Sequence, residues 1–64
     1  MPHVPVVLFR DSCTGDYLVP RPSPGLEQLQ PGDQVVLHNG QTVIVVRTMR
    51  RSQDELQIFC ETVT

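Results

Sequence analysis

The chain has 64 residues, of which 39% are hydrophobic and 5% aromatic, and its formal net charge at pH 7 is −2. A chain of this length buries only about 60% of the surface that it exposes when unfolded, so its core is small. The apolar content with the low net charge excludes an intrinsically disordered chain, and the excess of acids argues against the usual basic nucleic-acid-binding domain. We expect one β domain over residues 1–64.

The sequence contains no membrane span, because its longest apolar run covers residues 4–9 and a span needs about 20 residues. No basic segment with a cleavage site precedes that run, so we expect no signal peptide. The expected location is the cytoplasm, where Cys13 and Cys60 stay reduced. A disulfide between them becomes more plausible if the chain is secreted.

The first half of the chain predicts two strands and a loop. Residues 4–10 are rich in valine and form the first strand, which Pro5 places at an edge because proline has no amide hydrogen. A turn leads to a short second strand over residues 17–19. Residues 20–33 form a long Pro-rich loop between the second and third strands, since its prolines neither join a ladder nor continue a helix. Residues 26–29 are expected to form one helical turn with two buried leucines.

The second half predicts a hairpin. Residues 34–38 and 41–49 flank Asn39-Gly40, which favours a two-residue type I′ turn because both residues tolerate a positive φ. This turn predicts that Val36 lies opposite Val43. The neighbouring pair would be Val35 and Ile44.

A last strand over residues 55–63 follows a polar turn. Pairing Met49 with Glu55 keeps apolar side chains opposite one another, so this register is favoured. The expected fold is therefore all-β, a five-stranded antiparallel meander curled into an SH3-like barrel. Residues 29–37, which precede the hairpin, resemble the first hairpin strand of many SH3-like modules, including those of the KOW type. That resemblance implies the same barrel.

In the expected register the sheet is apolar at the centre of both faces. One face forms the core, with Val35, Leu37, Ile44, Val46, Leu56, Ile58 and Cys60. The other face carries a second apolar cluster, although an antiparallel sheet with one solvated face normally alternates cleanly. Barrel curvature, the N-terminal strand with the Pro-rich loop, or another polypeptide must cover it.

The second face predicts a small non-enzymatic protein-binding module, an adaptor or an inhibitor. Its expected partner-binding residues are Val36, Val43, Val45 and Phe59, with Arg47 and Glu61 fixing the orientation of the partner. The partner is another protein or a second copy of the chain. In the second case the chain would be an obligate homodimer with a structural role.

An alternative is an SH3-like module that binds nucleic acid. Arg47, Arg50 and Arg51 form the local basic cluster, and Tyr17 offers a ring on which a base can stack. The competing interpretation is a solvated turn whose charge Asp54 and Glu55 partly neutralise.

No enzyme, metal or cofactor site is expected. Cys13, Cys60, His3 and His38 are the soft or borderline ligands, but they lack the CxxC and HxxxH spacings of zinc sites. No orienting third group accompanies a cysteine–histidine pair, as nucleophilic catalysis requires. Each of the four glycines is explained by a turn, which leaves no phosphate-binding loop.

Overall fold

The computed structural model describes residues 5–63, whose regular secondary structure is almost entirely strand. The all-β fold class is therefore confirmed, while the predicted start of the first strand at Val4 lies outside the described residues. The elements are β1 (Val6–Asp11), β2 (Tyr17–Leu18), a single 3-10 turn (Leu26–Gln28), β3 (Gln34–Val36), β4 (Thr42–Ser52) and β5 (Glu55–Thr62).

The strands form one mixed sheet in the order β2-β1-β5-β4-β3. β1 pairs with β5 in parallel, whereas the other three neighbouring pairs are antiparallel. The predicted antiparallel meander is therefore wrong. In the structure β5 lies between β1 and β4, and its residues 56–60 are all buried.

The sheet is open, with β2 and β3 as its two edges. Beyond the ends of these strands, one isolated antiparallel bridge joins Pro20 to Leu37. Beside it, the amide N–H of Arg21 donates to the carbonyl oxygen of Val36 at 3.0 Å. The SH3-like barrel is not confirmed, because this pairing does not continue along the two edges.

Between β3 and β4, Leu37 and Gln41 are joined by a backbone hydrogen bond and enclose a three-residue turn, 38–40, where a two-residue turn was expected. The N–H of Gly40 donates to the carbonyl oxygen of Leu37 at 2.9 Å, and the N–H of Leu37 donates to that of Gln41 at 2.7 Å. Gly40 has a φ of +91°, while no other residue type within residues 5–63 has a positive φ. Asn39 therefore does not adopt the type I′ conformation, and the loop matches a turn completed by a left-handed glycine.

This longer loop shifts the register by one residue from the expected one. Val35 lies opposite Val43, and on the next pair of strands Val45 lies opposite Cys60. Val43 and Val45 are consequently core residues, 2% and 1% exposed, whereas Val46 is 36% exposed. A shift of one residue exchanges the two faces of a strand, so the predicted faces of this part of β4 were wrong.

The hydrophobic core covers one face of the sheet. Leu26 and Leu29, at the 3-10 turn, pack against it but are only partly buried, whereas the helical turn was expected to bury both. The 3-10 turn, which precedes β3 in the chain, thus adds two apolar side chains to the core from outside the sheet. The buried cluster is Phe9, Val35, Leu37, Val43, Val45, Leu56, Ile58 and Cys60.

β4 also changes face along its length. Its pairing with β5 is irregular between Val45 and Arg47, and again between Arg50 and Ser52. A bulge inserts one residue and so inverts the alternation that follows it. Val45 therefore faces the core, and Arg47 lies opposite Phe59 on the other side of the sheet.

We expect Val45→Ala to lower the free energy of unfolding by about 2 kcal/mol, because it leaves a cavity at a fully buried site. Val46→Ala, the matched control one residue away, should change it by less than about 0.5 kcal/mol. Urea denaturation of both variants measures the difference. Equal effects would contradict the observed register.

Candidate interaction surface

Four side chains form a row across the outer face, which is the face of the sheet opposite the core. Tyr17 on β2 pairs with Arg10 on β1, Arg10 pairs with Phe59 on β5, and Phe59 pairs with Arg47 on β4. Directly paired side chains on one face lie about 5 Å apart and interact. We call these four residues the Arg–aromatic row.

Each guanidinium in the row lies on a ring. The Cζ atom of Arg10 is 4.8 Å from the ring centroid of Tyr17, and that of Arg47 is 4.4 Å from the centroid of Phe59. Such cation–π contacts contribute about 0.5–1 kcal/mol each at exposed sites. Arg10 is fixed further, since its Nε and Nη2 donate to the carbonyl oxygen of Gly15 at 3.0 and 2.8 Å. The cations are therefore held in place.

The two rings differ in accessibility. Phe59 is 9% exposed but does not belong to the core cluster, which lies on the other face. The guanidinium of Arg47 lies over its ring. Tyr17 is 65% exposed at the edge of the sheet. A partner would therefore meet one open ring and one ring capped by a cation.

A second row lies beside the first and is less charged. Gln57 pairs with Leu8 on one side and with Met49 on the other. Gln57 is only 3% exposed, and its Nε2 donates to Oε2 of Glu55 at 3.3 Å. Met49 is 42% exposed. The outer face thus continues as a largely uncharged strip.

Only part of the predicted partner-binding set is on this surface. Phe59 and Arg47 are in contact there. Glu61, one position along the same face of β5, accepts a hydrogen bond of 3.4 Å from Oγ of Ser12. Val36 is 41% exposed on β3.

Val43 and Val45, the other two predicted partner-binding residues, lie in the core, so they cannot reach a partner in this structure. They were assigned to an exposed face because the pairing was predicted one residue out of register. Their burial removes the second apolar cluster that was expected at the middle of the sheet.

The predicted basic cluster is divided between surfaces. Arg50 lies opposite Leu56, a core residue, and so points away from the outer face. Nε of Arg51 is 3.6 Å from Oε2 of Glu55. Of the three arginines, Arg47 is the one that belongs to the Arg–aromatic row.

Sequence reasoning missed Arg10, which links the two ends of the row. Its signal was the turn between β1 and β2: Arg10 and Tyr17 flank that turn and pair across it. The carboxylate of Asp11 accepts the N–H groups of Cys13 and Thr14, at 2.7 and 3.1 Å, and so shapes the turn. The pairing of Arg10 with Phe59 depends on the parallel β1–β5 contact, which local pattern does not reveal.

The part of the chain that the structure describes contains no group of three or more histidine, cysteine or acidic side chains that could hold a metal ion. His3 lies outside it, and His38 is exposed in the β3–β4 loop. Cys13 and Cys60 are both free thiols. Within residues 5–63 there is also no helix of the length and hydropathy that a membrane span requires.

Comparison with protein-family models, with curated proteins and with solved structures gives no match to this chain.

The two thiols should differ sharply in reactivity. Burial, with a smaller contribution from the carboxylate of Asp11, raises the pKa of Cys60 from 9.0 to about 11. A thiol with that pKa is roughly one-thousandth ionised near pH 8, and the thiolate is the reactive species. We expect iodoacetamide to modify exposed Cys13 in the native protein and Cys60 only after denaturation, as followed by mass spectrometry.

The raised pKa of Cys60 also determines whether the free energy of unfolding rises or falls with pH. The thiol of Cys60 ionises near 9.0 in the unfolded chain and near 11 in the folded one. The unfolded state therefore loses its proton first, and the free energy of unfolding should fall as pH rises through that window. A Cys60→Ala variant should lack this component of the decline.

In the alkylation experiment, rapid modification of Cys60 in the native protein would contradict its burial.

Proposed function

We propose that the chain is a small non-enzymatic protein-binding module, an adaptor or an inhibitor, that docks on another protein through the outer face. The Arg–aromatic row would form the centre of the contact, with Met49 and Leu8 beside it. The observation that carries the proposal is the row itself, in which two guanidiniums and two rings alternate across four strands.

The residue types on this face support a protein partner. Protein interfaces are enriched in tyrosine, phenylalanine, methionine and arginine, and tyrosine and arginine are frequent among the residues that dominate affinity. Tyr17, Met49 and Val6 remain 65%, 42% and 60% exposed, so no described segment of the chain packs over them. Exposed apolar side chains grouped on one face generally mark a contact surface.

The fixed geometry of the row also favours binding. Arg10 is held by two hydrogen bonds and a ring, and Arg47 is stacked on Phe59. Less side-chain entropy is lost when groups that are already ordered enter an interface. The stacked guanidiniums keep their outer faces and remaining N–H groups for a partner.

We also propose that the fold is a partly open SH3-like barrel and that the protein acts in the cytoplasm. The bridge between Pro20 and Leu37 supports the first point, because it joins the chain at the two edges of the sheet. The free thiols of Cys13 and Cys60 fit a reducing compartment.

The test uses two variants of the outer face and one matched control. Arg47→Glu and Tyr17→Ala each remove a member of the row. The control, Arg21→Glu, makes the same charge change as Arg47→Glu but on the segment that follows β2. Each protein captured by the wild-type chain from a lysate of its source is purified and titrated against the three variants. We expect both face variants to bind at least about tenfold more weakly, as for residues central to an interface, and the control to bind normally.

Two-dimensional NMR spectra confirm that each variant remains folded. If every captured protein binds Arg47→Glu and Tyr17→Ala as tightly as the wild type, the outer face is not the docking surface. If light scattering at several concentrations gives a dimer that Arg47→Glu dissociates, the homodimer is the correct alternative.

A second candidate function is binding of single-stranded nucleic acid. The stacked guanidinium of Arg47 and the open ring of Tyr17 favour it, because bases stack on both kinds of surface. Against it stand the net charge of −2 and the carboxylates of Glu55 and Glu61 on the same face. Affinity for single-stranded RNA or DNA that falls steeply with salt, and that Tyr17→Ala weakens, would select this function.

A further inference from the structure

Half of β4 has a neighbouring strand on only one side. β4 has 11 residues, but β3 pairs only with residues 42–44. The turn before β3 pairs with one more residue of β4, Val45. The N–H of Gly32 donates to the carbonyl oxygen of Val45 at 2.8 Å, and the N–H of Val45 donates to the carbonyl oxygen of Asp33 at 2.8 Å. Beyond Val45, β4 pairs with β5 alone within residues 5–63. We call residues 47–52 the free edge.

The backbone direction along the free edge follows from these bonds. The backbone N–H and C=O of Val45 both point away from β5. In a regular strand, the N–H and C=O of successive residues point alternately toward one neighbouring strand and toward the other. The bulge after Val45 turns both Val46 and Arg47 toward β5. The N–H and C=O groups of Thr48 and Arg50 therefore point outward, away from β5. They are the groups that an added strand would bond.

We propose that the free edge of β4 binds an extended, acidic segment of the partner protein by strand addition. This inference rests on the proposed function, because it takes the partner to be a protein, and it adds the docking mode and the chemistry of the bound segment. Strand addition combines main-chain hydrogen bonds with recognition of alternate side chains.

The charges along the free edge select an acidic segment. Arg47, Arg50 and Arg51 are all exposed there. Arg51 has an acidic neighbour, Glu55 at 3.6 Å. The guanidinium of Arg47 contacts a ring rather than an acid. Glutamate or aspartate side chains on an added strand would lie directly opposite these cations, and opposite charges paired across strands stabilise a sheet.

The same charges disfavour a second copy of the chain at this edge. An antiparallel pair of free edges centred on Met49 would set Arg47 of each copy opposite Arg51 of the other. Like charges placed directly opposite destabilise a pair of strands. Arginines and a bulge are common protection against indiscriminate pairing of edges. At this edge the arginines disfavour a basic strand but favour an added strand that carries acidic side chains.

The free edge is continuous with the outer face. Arg47 and Met49 belong to both, since they lie on β4 and point to the outer side. A strand added at the edge would extend the Arg–aromatic row by one position beyond Arg47. One partner could therefore contact the edge through its backbone and the outer face through its side chains.

The experiment uses peptide probes of about seven residues with blocked termini, a length that matches the free edge. The first alternates glutamate and valine, the second replaces each glutamate with lysine, and the third is the first with N-methylated backbone amides. Amide hydrogen exchange of the native protein is followed by NMR during titration. We expect the acidic peptide to slow exchange of the Thr48 and Arg50 amides at least about tenfold, and neither other peptide to do so.

Thr48→Pro removes one outward amide without touching the row and should abolish binding of the acidic peptide. Because this variant could fail to fold, the N-methylated peptide provides the same test on the wild-type protein. The inference is overturned if the acidic peptide does not bind, or if it binds without protecting the Thr48 and Arg50 amides. It is also overturned if the lysine peptide binds equally well, or if single-stranded RNA protects these amides instead.

Two variants separate this inference from the proposed function. If Tyr17→Ala weakens a captured partner while folded Thr48→Pro binds it normally, the outer face is the docking surface and strand addition is wrong. If Thr48→Pro alone loses the partner, the edge binds it and the outer face does not.

Discussion

The parallel pairing of β1 with β5 is the contact on which the rest of the structure depends. Phe9 lies opposite Ile58, and these side chains are 2% and 0% exposed. The contact makes β5 a central strand, and residues 56–60 of that strand are all buried. It also sets Arg10 beside Phe59, so the same pairing builds the core on one face and joins the two halves of the Arg–aromatic row on the other.

The bulge in β4 provides the second constraint. Without it, regular alternation would place Arg47 on the same face as Val45, which is 1% exposed, and a guanidinium would enter the core without a partner. The extra residue places Val45 inside and Arg47 outside, over the ring of Phe59. The bulge therefore separates a part of β4 that builds the core from a part that builds the outer face and the free edge.

Local patterns in the sequence predicted five strands close to their observed positions, because turn residues separate runs of β-branched residues. They did not predict the register of the hairpin, since Asn39-Gly40 suits both a two-residue turn and a three-residue loop that ends in glycine, and burial of Val43 and Val45 decides between them. The parallel β1–β5 pairing was not predicted, because it joins segments that are distant in the sequence. Arg47 and Phe59 were found for the candidate surface, and Arg10, which depends on that contact, was not.

The central position of β5 has a consequence for how the chain folds. β1 and β4 both need β5 as their neighbour, so the hairpin β3–β4 and the hairpin β1–β2 have no sheet to join until β5 is in place. The decisive contacts, such as Phe9 with Ile58, close a loop that spans most of the chain. Folds dominated by such distant pairings reach the native state in roughly milliseconds to seconds, more slowly than helical bundles of similar size. The chain should consequently fold in one cooperative step, with neither hairpin stable on its own.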